Sequence, residues 1–525
     1  MSGTTSKIDL ATRLRQRLHL GLLLSAIALA ALAAVFMVWN IFRPYPLSAR
    51  ENSDLFVTSN LLKGLNPYAL EQHPIYLYVY GIIYALVVYP FAEVFGATAM
   101  VSRTVSDVFI VLNCGVFFWG MRVSRVPQAL AFCGALLLFS HLALNDCSPG
   151  PNSLGLFFMF LSIVVPFAMD FKWGSVMAGI LLAILAFYTK PYFVIGAPLL
   201  ISYLFLFRSK SKGIVTAISF VLLMIATAKA VTFLLPLYFT DIFYNNYNVA
   251  RVFYSIRHLF HVGILYFPLG IGLVALLVWR LRNSPPDAKP LMIWPPQINY
   301  LDPGKPLFMK PSFEWVTYIL IACLTVYVIK MGPHAGALLS YVYHLVTPFL
   351  IWRAFIVAGV EWPEKTEPLL FLQASVVLVA GFLVLPMIII HQRDHTPDWR
   401  HAADLISSHR RVLGVGALAG ILSAQGKEVY DAGQTEYYPY SFDHNPSPLM
   451  DAYKLRCQQY ESDLEQKVRN REFDVIMCFS PNLPALPVSP LLISQYYHKV
   501  ESFPLEMTFE SHQMDVWEPN TNTKP

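Results

Sequence analysis

The sequence predicts an α-helical polytopic membrane protein. It has about eleven transmembrane helices, interfacial helices in the first outer loop, and a small C-terminal α/β extracytoplasmic domain. Three observations carry this. The 525 residues are 56% hydrophobic and only 14% charged, with a mean hydropathy of +0.50, where a soluble protein carries roughly a quarter charged residues. Apolar runs of spanning length recur between residues 20 and 390, separated by short basic clusters. After His391 acidic residues and prolines accumulate. The net charge of +5 is small and there is no polybasic tail, so the basic clusters read as topology signals and not as a nucleic-acid surface.

The first span, 20–42, follows Arg13, Arg15 and Arg17. Ala31-Leu32-Ala33 resembles a signal-peptide cleavage site, but the apolar run continues through 35–39, which marks an uncleaved anchor. The amino terminus is then cytoplasmic and the loop 43–99 lies outside. Arg122, Arg125, Lys172 and the clusters 208–212 and 280–282 should be inside. Crossings follow near 100–120, 127–144, 154–170, 174–190, 193–207, 214–236, 260–280, 312–330, 336–355 and 368–390. The odd total puts the carboxyl terminus outside.

The segment 75–95 is apolar enough to cross, yet a crossing there would invert every later basic cluster. Its Tyr76, Tyr78, Tyr80, Tyr84, Tyr89 and Pro90 suit one or two helices lying in the outer interface. The Pro-rich stretch 283–311 reads as a cytoplasmic loop. The transmembrane part thus occupies 1–390 and the outer domain 391–525. In the latter, 411–418, 427–431 and 473–478 read as strands, and 449–471 has helical periodicity on Leu455, Leu464 and Val468. Strands alternating with helices predict an α/β domain.

Cys114, Cys133 and Cys323 fall in spans as small apolar fillers. Cys457 and Cys478 fall in the outer domain, where an oxidising compartment permits a disulfide. No phosphate-cradling G-x-x-x-x-G-K-S/T loop, nucleophile elbow or C-x-x-C pair occurs, which argues against an ATP-driven pump. The one Asn-x-Ser/Thr triplet, at Asn445, is disqualified by Pro446, which favours a bacterial cytoplasmic membrane over the endoplasmic reticulum.

Glu51-Asn52-Ser53-Asp54 places two carboxylates just beyond the first span. On the expected topology Arg103, Asp146, Asn152, Lys190, Arg251, Arg257, Lys330 and His334 collect on that same side. Ionisable groups at membrane depth are costly and mark function. Acids facing cations suit a reaction with an anionic leaving group and a hydroxyl acceptor: cations stabilise the departing charge and a carboxylate takes the acceptor proton. Plainer roles stand beside these. Asp54 suits a helix cap, and Lys190 and Lys330 can snorkel to headgroups. Arg103 can anchor a span end, Arg251 and Arg257 can meet headgroups, and Asp146 and Asn152 can shape a Pro-Gly turn. His391, Asp394, His395, Asp398 and His401 have helical metal-ligand spacing, which Pro397 interrupts. Glu51 and Asp54 can hold one divalent cation, although the chemistry requires no cofactor.

The acidic first loop, Gly64-Leu-Asn-Pro-Tyr68, Pro-Gly-Pro-Asn152, Lys190-Pro-Tyr192, the Lys330-Met-Gly turn before Tyr341 and Tyr343, and the closing Phe473-Asp474-Val-Ile together resemble GT-C-type glycosyltransferases that use polyprenyl-phosphate sugars. The resemblance covers nearly the whole chain in organisation, through short motifs. It implies a lipid-linked sugar donor in the membrane lipid and a glycan or glycolipid acceptor. It further implies Asp54 as catalytic base with Glu51 beside it, and Asp146 or Asn152 as a second polar residue. Lys190, Lys330 and Arg103 would hold the phosphate. Unlike protein O-mannosyltransferases, the two acids are separated by Asn52-Ser53, which disfavours a protein acceptor. Two other readings remain: a transporter or flippase of lipid-linked glycans, and an O-antigen ligase- or polymerase-like enzyme using a diphosphate-linked donor.

Overall fold

A computed structural model describes residues 3–48, 51–145, 150–245, 315–316, 318–320, 322–323, 342–361, 366–379, 395–433, 447–480, 486, 488–507 and 511–520. Among them, five helical segments are long and apolar enough to cross a membrane: Thr12–Ile41, Ala99–Val123, Pro151–Ala168, Pro191–Arg208 and Lys210–Leu234. The first belongs to α1 (Gly3–Ile41); Ala99–Val123, Pro151–Ala168 and Lys210–Leu234 are α4, α6 and α9. Between them lie α5 (Gln128–Asn145) and α7 (Trp173–Thr189). The expected crossing 193–207 is a broken helix: a 3-10 turn over Pro191–Ile195, then α8 (Gly196–Tyr203), then a π-turn over Leu204–Arg208. The expected span 260–280 lies outside the described residues, as do parts of the last three.

Local chemistry sets the starts of these helices. Thr98 Oγ1 accepts from the Val101 amide at 3.3 Å and Ser209 Oγ from that of Lys212 at 3.3 Å, each satisfying an orphan donor of the first turn. Pro151 opens α6, where a missing N–H costs nothing. Helix α9 exposes Ile214, Val215, Ile218, Val221, Leu222 and Ile225. Such a continuous apolar face is a liability in water and is solvated in lipid.

The loop after α1 begins with α2 (Glu51–Leu62) and ends with α3 (Ile83–Phe95). At thirteen residues α3 is about 20 Å long, short of a hydrocarbon core of about 30 Å. Helix forms only from Ile83; residues 73–82 are not helical, in contrast to the expectation for 75–95. Their backbone bonds to distant chain instead: the Gly81 amide donates to Thr189 O at 3.1 Å and Ile75 O accepts from the Ala432 amide at 3.0 Å. Gly81 is required here, because a Cβ would lie 1.9 Å from Tyr188 O. This close approach lays the Tyr78–Tyr80 stretch against the end of α7.

The described residues between 395 and 520 hold a four-stranded sheet of order β1-β2-β4-β3: β1 (Val412–Gly414), β2 (Val475–Phe479), β3 (Tyr497–Glu506) and β4 (Ser511–Pro519). β1 and β2 are parallel; the other two pairings are antiparallel. A helix over Pro448–Arg469, capped by Ser447, connects β1 to β2 in sequence. The expected strand 427–431 does not form. Its Asp431 carboxylate instead accepts from the Gly416 and Gly433 amides at 2.9 and 2.8 Å, closing the loop after β1. Cys457 and Cys478 are free thiols, so the expected disulfide is absent.

Two apolar cores meet at the first loop. One runs through the membrane helices and takes in Tyr68, Tyr78, Met450 and Tyr453. The other fills the sheet and takes in Tyr45 and Phe56. Tyr45 also stacks on Trp399 at 6.1 Å.

Candidate active site around Asp54

The first turn of α2 is buried throughout: Glu51, Asn52, Ser53 and Asp54 are each 1–3% exposed. A helix N-terminus favours carboxylates, but burial on this scale demands partners. The partners differ at each residue.

Glu51 is claimed by Arg103. Arg103 Nε donates to Oε1 at 2.6 Å and Nη2 to Oε2 at 2.9 Å, a bidentate pair with side chains 2% and 1% exposed. The Leu47 amide also donates to Oε2, at 2.7 Å. The other guanidinium N–H groups go to Asn40 O at 2.9 Å, Arg43 O at 2.8 Å and Tyr45 O at 2.7 Å. All five donors of Arg103 are thereby used, and none remains for a phosphate. The pair ties α2 and α4 to the end of α1. Asn52 Nδ2 donates to Gly416 O at 2.8 Å and Ala417 O at 2.9 Å, fastening the same turn to the loop after β1.

Asp54 is differently placed. Tyr78 Oη donates to Oδ1 at 2.5 Å. Oδ2 accepts no hydrogen bond from a described residue and lies where a Cβ on Gly150 would come within 3.3 Å. Gly150 has φ +150°, so both conformation and space favour glycine there. Burial pushes the Asp54 carboxyl up to about 7; the Tyr78 bond and the Lys190 charge hold it down, and the Glu51 charge raises it further. Burial and the Asp54 charge keep the Tyr78 phenol protonated, well above its usual range. The result is a carboxylate poised near neutrality, with one oxygen fixed and, among the described residues, one without a donor.

Lys190 caps the end of α7. Its ammonium donates to Asn152 Oδ1 at 2.7 Å and sits 4.7 Å from the Tyr80 ring centre and 5.4 Å from that of Tyr192. Asn152 stands one residue into α6, just past Gly150, so the expected pair Asn152 and Lys190 is brought together beside Asp54. Tyr68 is fully buried: Oη donates to Tyr80 O at 2.6 Å and its ring packs on Tyr78 and Tyr238, so it shapes the loop beneath the site. Asp146, Arg251, Arg257, Lys330 and His334 lie outside the described residues.

Three features escaped the sequence reading. Tyr78 is the direct partner of Asp54. His73 Nε2 and Asp241 Oδ2 form a fully buried 2.8 Å pair that closes the first loop onto the π-turn Thr240–Asn245 that follows α9. His344, 1% exposed, lies 3.2 Å from Tyr192 Oη. As for a metal, both Glu51 oxygens accept from N–H donors. Among the described residues no group of three or more His, Cys, Asp or Glu has metal-binding geometry. His401 pairs instead with Glu501 at 2.9 Å and His395 with Glu506 at 3.3 Å.

Solved structures place this architecture. The fold is similar to that of ArnT. The apo crystal structure of ArnT from Cupriavidus metallidurans matches with a TM-score of 0.51 and 12% identity, over 94% of this chain and 97% of that one. The structure of the same protein bound to undecaprenyl phosphate matches with a TM-score of 0.45 and 13% identity, over 93% and 97%. No protein-family model and no curated protein matches the chain by sequence. At this identity the likeness is one of fold.

Proposed function

We propose that the chain is an integral-membrane glycosyltransferase of GT-C type. It would move a sugar from a polyprenyl-phosphate donor to a hydroxyl of a glycan or glycolipid, with inversion, at the outer face of a bacterial inner membrane. The observation that carries this reading is the Asp54 carboxylate: buried, poised near neutrality, one oxygen held by Tyr78 and the other directed at Gly150. The ArnT-like fold and the resemblance of the loop motifs support the donor class.

In this mechanism Asp54 Oδ2 takes the proton of the acceptor hydroxyl as its oxygen attacks the anomeric carbon. The bond from that carbon to the phosphate oxygen breaks, and polyprenyl phosphate leaves with the electron pair. Lys190, held by Asn152 between two tyrosine rings, offsets the charge that develops on the leaving group. Lys330, His334, Arg251 and Arg257 are proposed to add to that positive field. Glu51 and Arg103 hold the helix that carries the base.

The test is Asp54→Asn in the purified full chain, assayed for transfer from a synthetic polyprenyl-phosphate pentose or hexose. A fall of about 10²–10⁴-fold is expected for loss of a general base. Transfer at the wild-type rate would exclude Asp54 from that role.

A further inference from the structure

We propose that Tyr78 is a positioning residue for Asp54: its hydroxyl locks Oδ1 and so leaves Oδ2 as the oxygen that receives the acceptor proton, a role that rests on Asp54 being the base. Three observations lead there. Tyr78 is fully buried and its single polar atom is committed to Oδ1 at 2.5 Å, the short end of hydroxyl–carboxylate bonds. Its ring cannot swing away, because it packs on Tyr68 at 6.3 Å and on Tyr80 at 5.7 Å. The segment that carries it is pinned by Gly81 to the end of α7, at Thr189, one residue before Lys190. One short non-helical stretch thereby sets the orientation of the base through Tyr78 and packs on the cation through Tyr80.

The bond also has an electrostatic consequence. Five titratable groups act on or around Asp54. Tyr78 and the Lys190 ammonium favour the ionised form, and Glu51, on the same helix and paired with Arg103, opposes it. Tyr68 and Tyr84 also feel the Asp54 charge and remain neutral. Of these, Tyr78 alone donates to the carboxylate. A donor to the ionised form lowers the pKa, so its removal must raise it. A hydrogen bond to a charged group corresponds to about one pH unit or somewhat more.

Tyr78→Phe keeps the ring and deletes the donor. The first measurement needs no substrate. The Asp54 carboxyl stretch, isolated as the infrared difference between the full chain and Asp54→Asn in lipid nanodiscs, is titrated with and without Tyr78→Phe. The midpoint is expected to rise from near 7 by about one pH unit. The second measurement is the pH dependence of kcat/KM with the polyprenyl-phosphate sugar. Its acidic limb should move up by the same amount, giving about a 10-fold loss at pH 6 and little loss at pH 9. Should Tyr78→Phe not fold, 3-fluorotyrosine at position 78 is a stronger donor and should move the midpoint down. An unmoved midpoint overturns the role of Tyr78 even when Asp54→Asn is inactive, which would leave the base reading standing. An active Asp54→Asn removes the base reading and the positioning role with it.

Discussion

Arg103 offers a direct contest between a structural brace and a phosphate ligand, and the outcome can be sized from its contacts. Arg103→Met removes a guanidinium that makes two bonds to Glu51 and three to main-chain carbonyls, all in a site with 1–2% exposure. Breaking one side of a buried pair costs about 3–5 kcal/mol, because the surviving charge stays uncompensated. Each carbonyl left without a donor adds about 1 kcal/mol. Against a total stability of about 5–15 kcal/mol, the variant should be marginal. Glu51→Gln should be milder, because the guanidinium keeps its three carbonyls and an amide oxygen. Glu51→Gln with Arg103→Met should cost less than the sum of the two, by about 1–3 kcal/mol. Arg103→Lys is the decisive variant: it keeps the charge but has three donors and no fork. The assay is the thermal midpoint of purified protein in detergent, read by loss of the monodisperse peak, together with KM for the lipid donor. The brace predicts that Arg103→Lys and Arg103→Met both lower the midpoint by several degrees, with the lysine intermediate. A wild-type midpoint combined with a raised KM for the polyprenyl-phosphate sugar would refute it and return Arg103 to the phosphate.

Two further predictions concern the anchors of the first loop. Asn52→Ala removes two hydrogen bonds to the loop after β1, about 2 kcal/mol in total. Hydrogen exchange in the first turns of α2 should accelerate by about 30-fold, and an unchanged rate would show that the contact does not hold the helix. At His73, burial lowers the pKa, but the Asp241 charge and hydrogen bond outweigh it, and the net shift is upward from 6.5. A raised folded-state pKa means that the pair contributes in full below about 6.5 and is lost as pH rises through the folded value. Asp241→Asn should therefore lower the thermal midpoint more at pH 6 than at pH 9; equal losses at both would mean that His73 does not change its charge between them.

What the sequence made legible is what local pattern encodes. Apolar runs gave the helices to within a few residues, and helical periodicity at 449–471 matches the helix over Pro448–Arg469. Asp54 stood out because a carboxylate beside a membrane span needs a reason. What stayed hidden was pairing across long separations. Nothing within a window around Glu51 reveals that Arg103 will take both of its oxygens. The signal available was weaker: an arginine near the start of an apolar helix must find an anion or carbonyls. Tyr76, Tyr78 and Tyr80 suit an interfacial bed, yet their spacing of two does not keep them on one face of a helix. The hairpin of β3 and β4 was missed for a related reason. β3 mixes Lys499, Glu501 and Pro504 into an exposed edge, and its pattern slips at a register shift between Lys499 and Glu501.

The arrangement of anchors explains how a C-terminal unit with no described contact to the Asp54 carboxylate can still govern it. Successive residues of a helix are about 100° apart, so side chains at 51 and 54 lie within about 60° of each other and those at 52 and 54 about 160° apart. Glu51 and Asp54 therefore face the membrane helices and the Tyr78 segment, while Asn52 reaches the loop after β1 on the opposite flank. A helix held on one flank only can still roll about that contact, and a small roll carries a carboxylate oxygen away from its partner. Held on both flanks within a single turn, it cannot roll without breaking charged or buried bonds. A general base depends on geometry at this scale, since a displacement of about 1 Å costs on the order of 10²-fold in rate. The Asn52 contact thus couples the loop after β1 to the orientation of Asp54, and the loop's own brace, Asp431 on the Gly416 and Gly433 amides, becomes part of the same support.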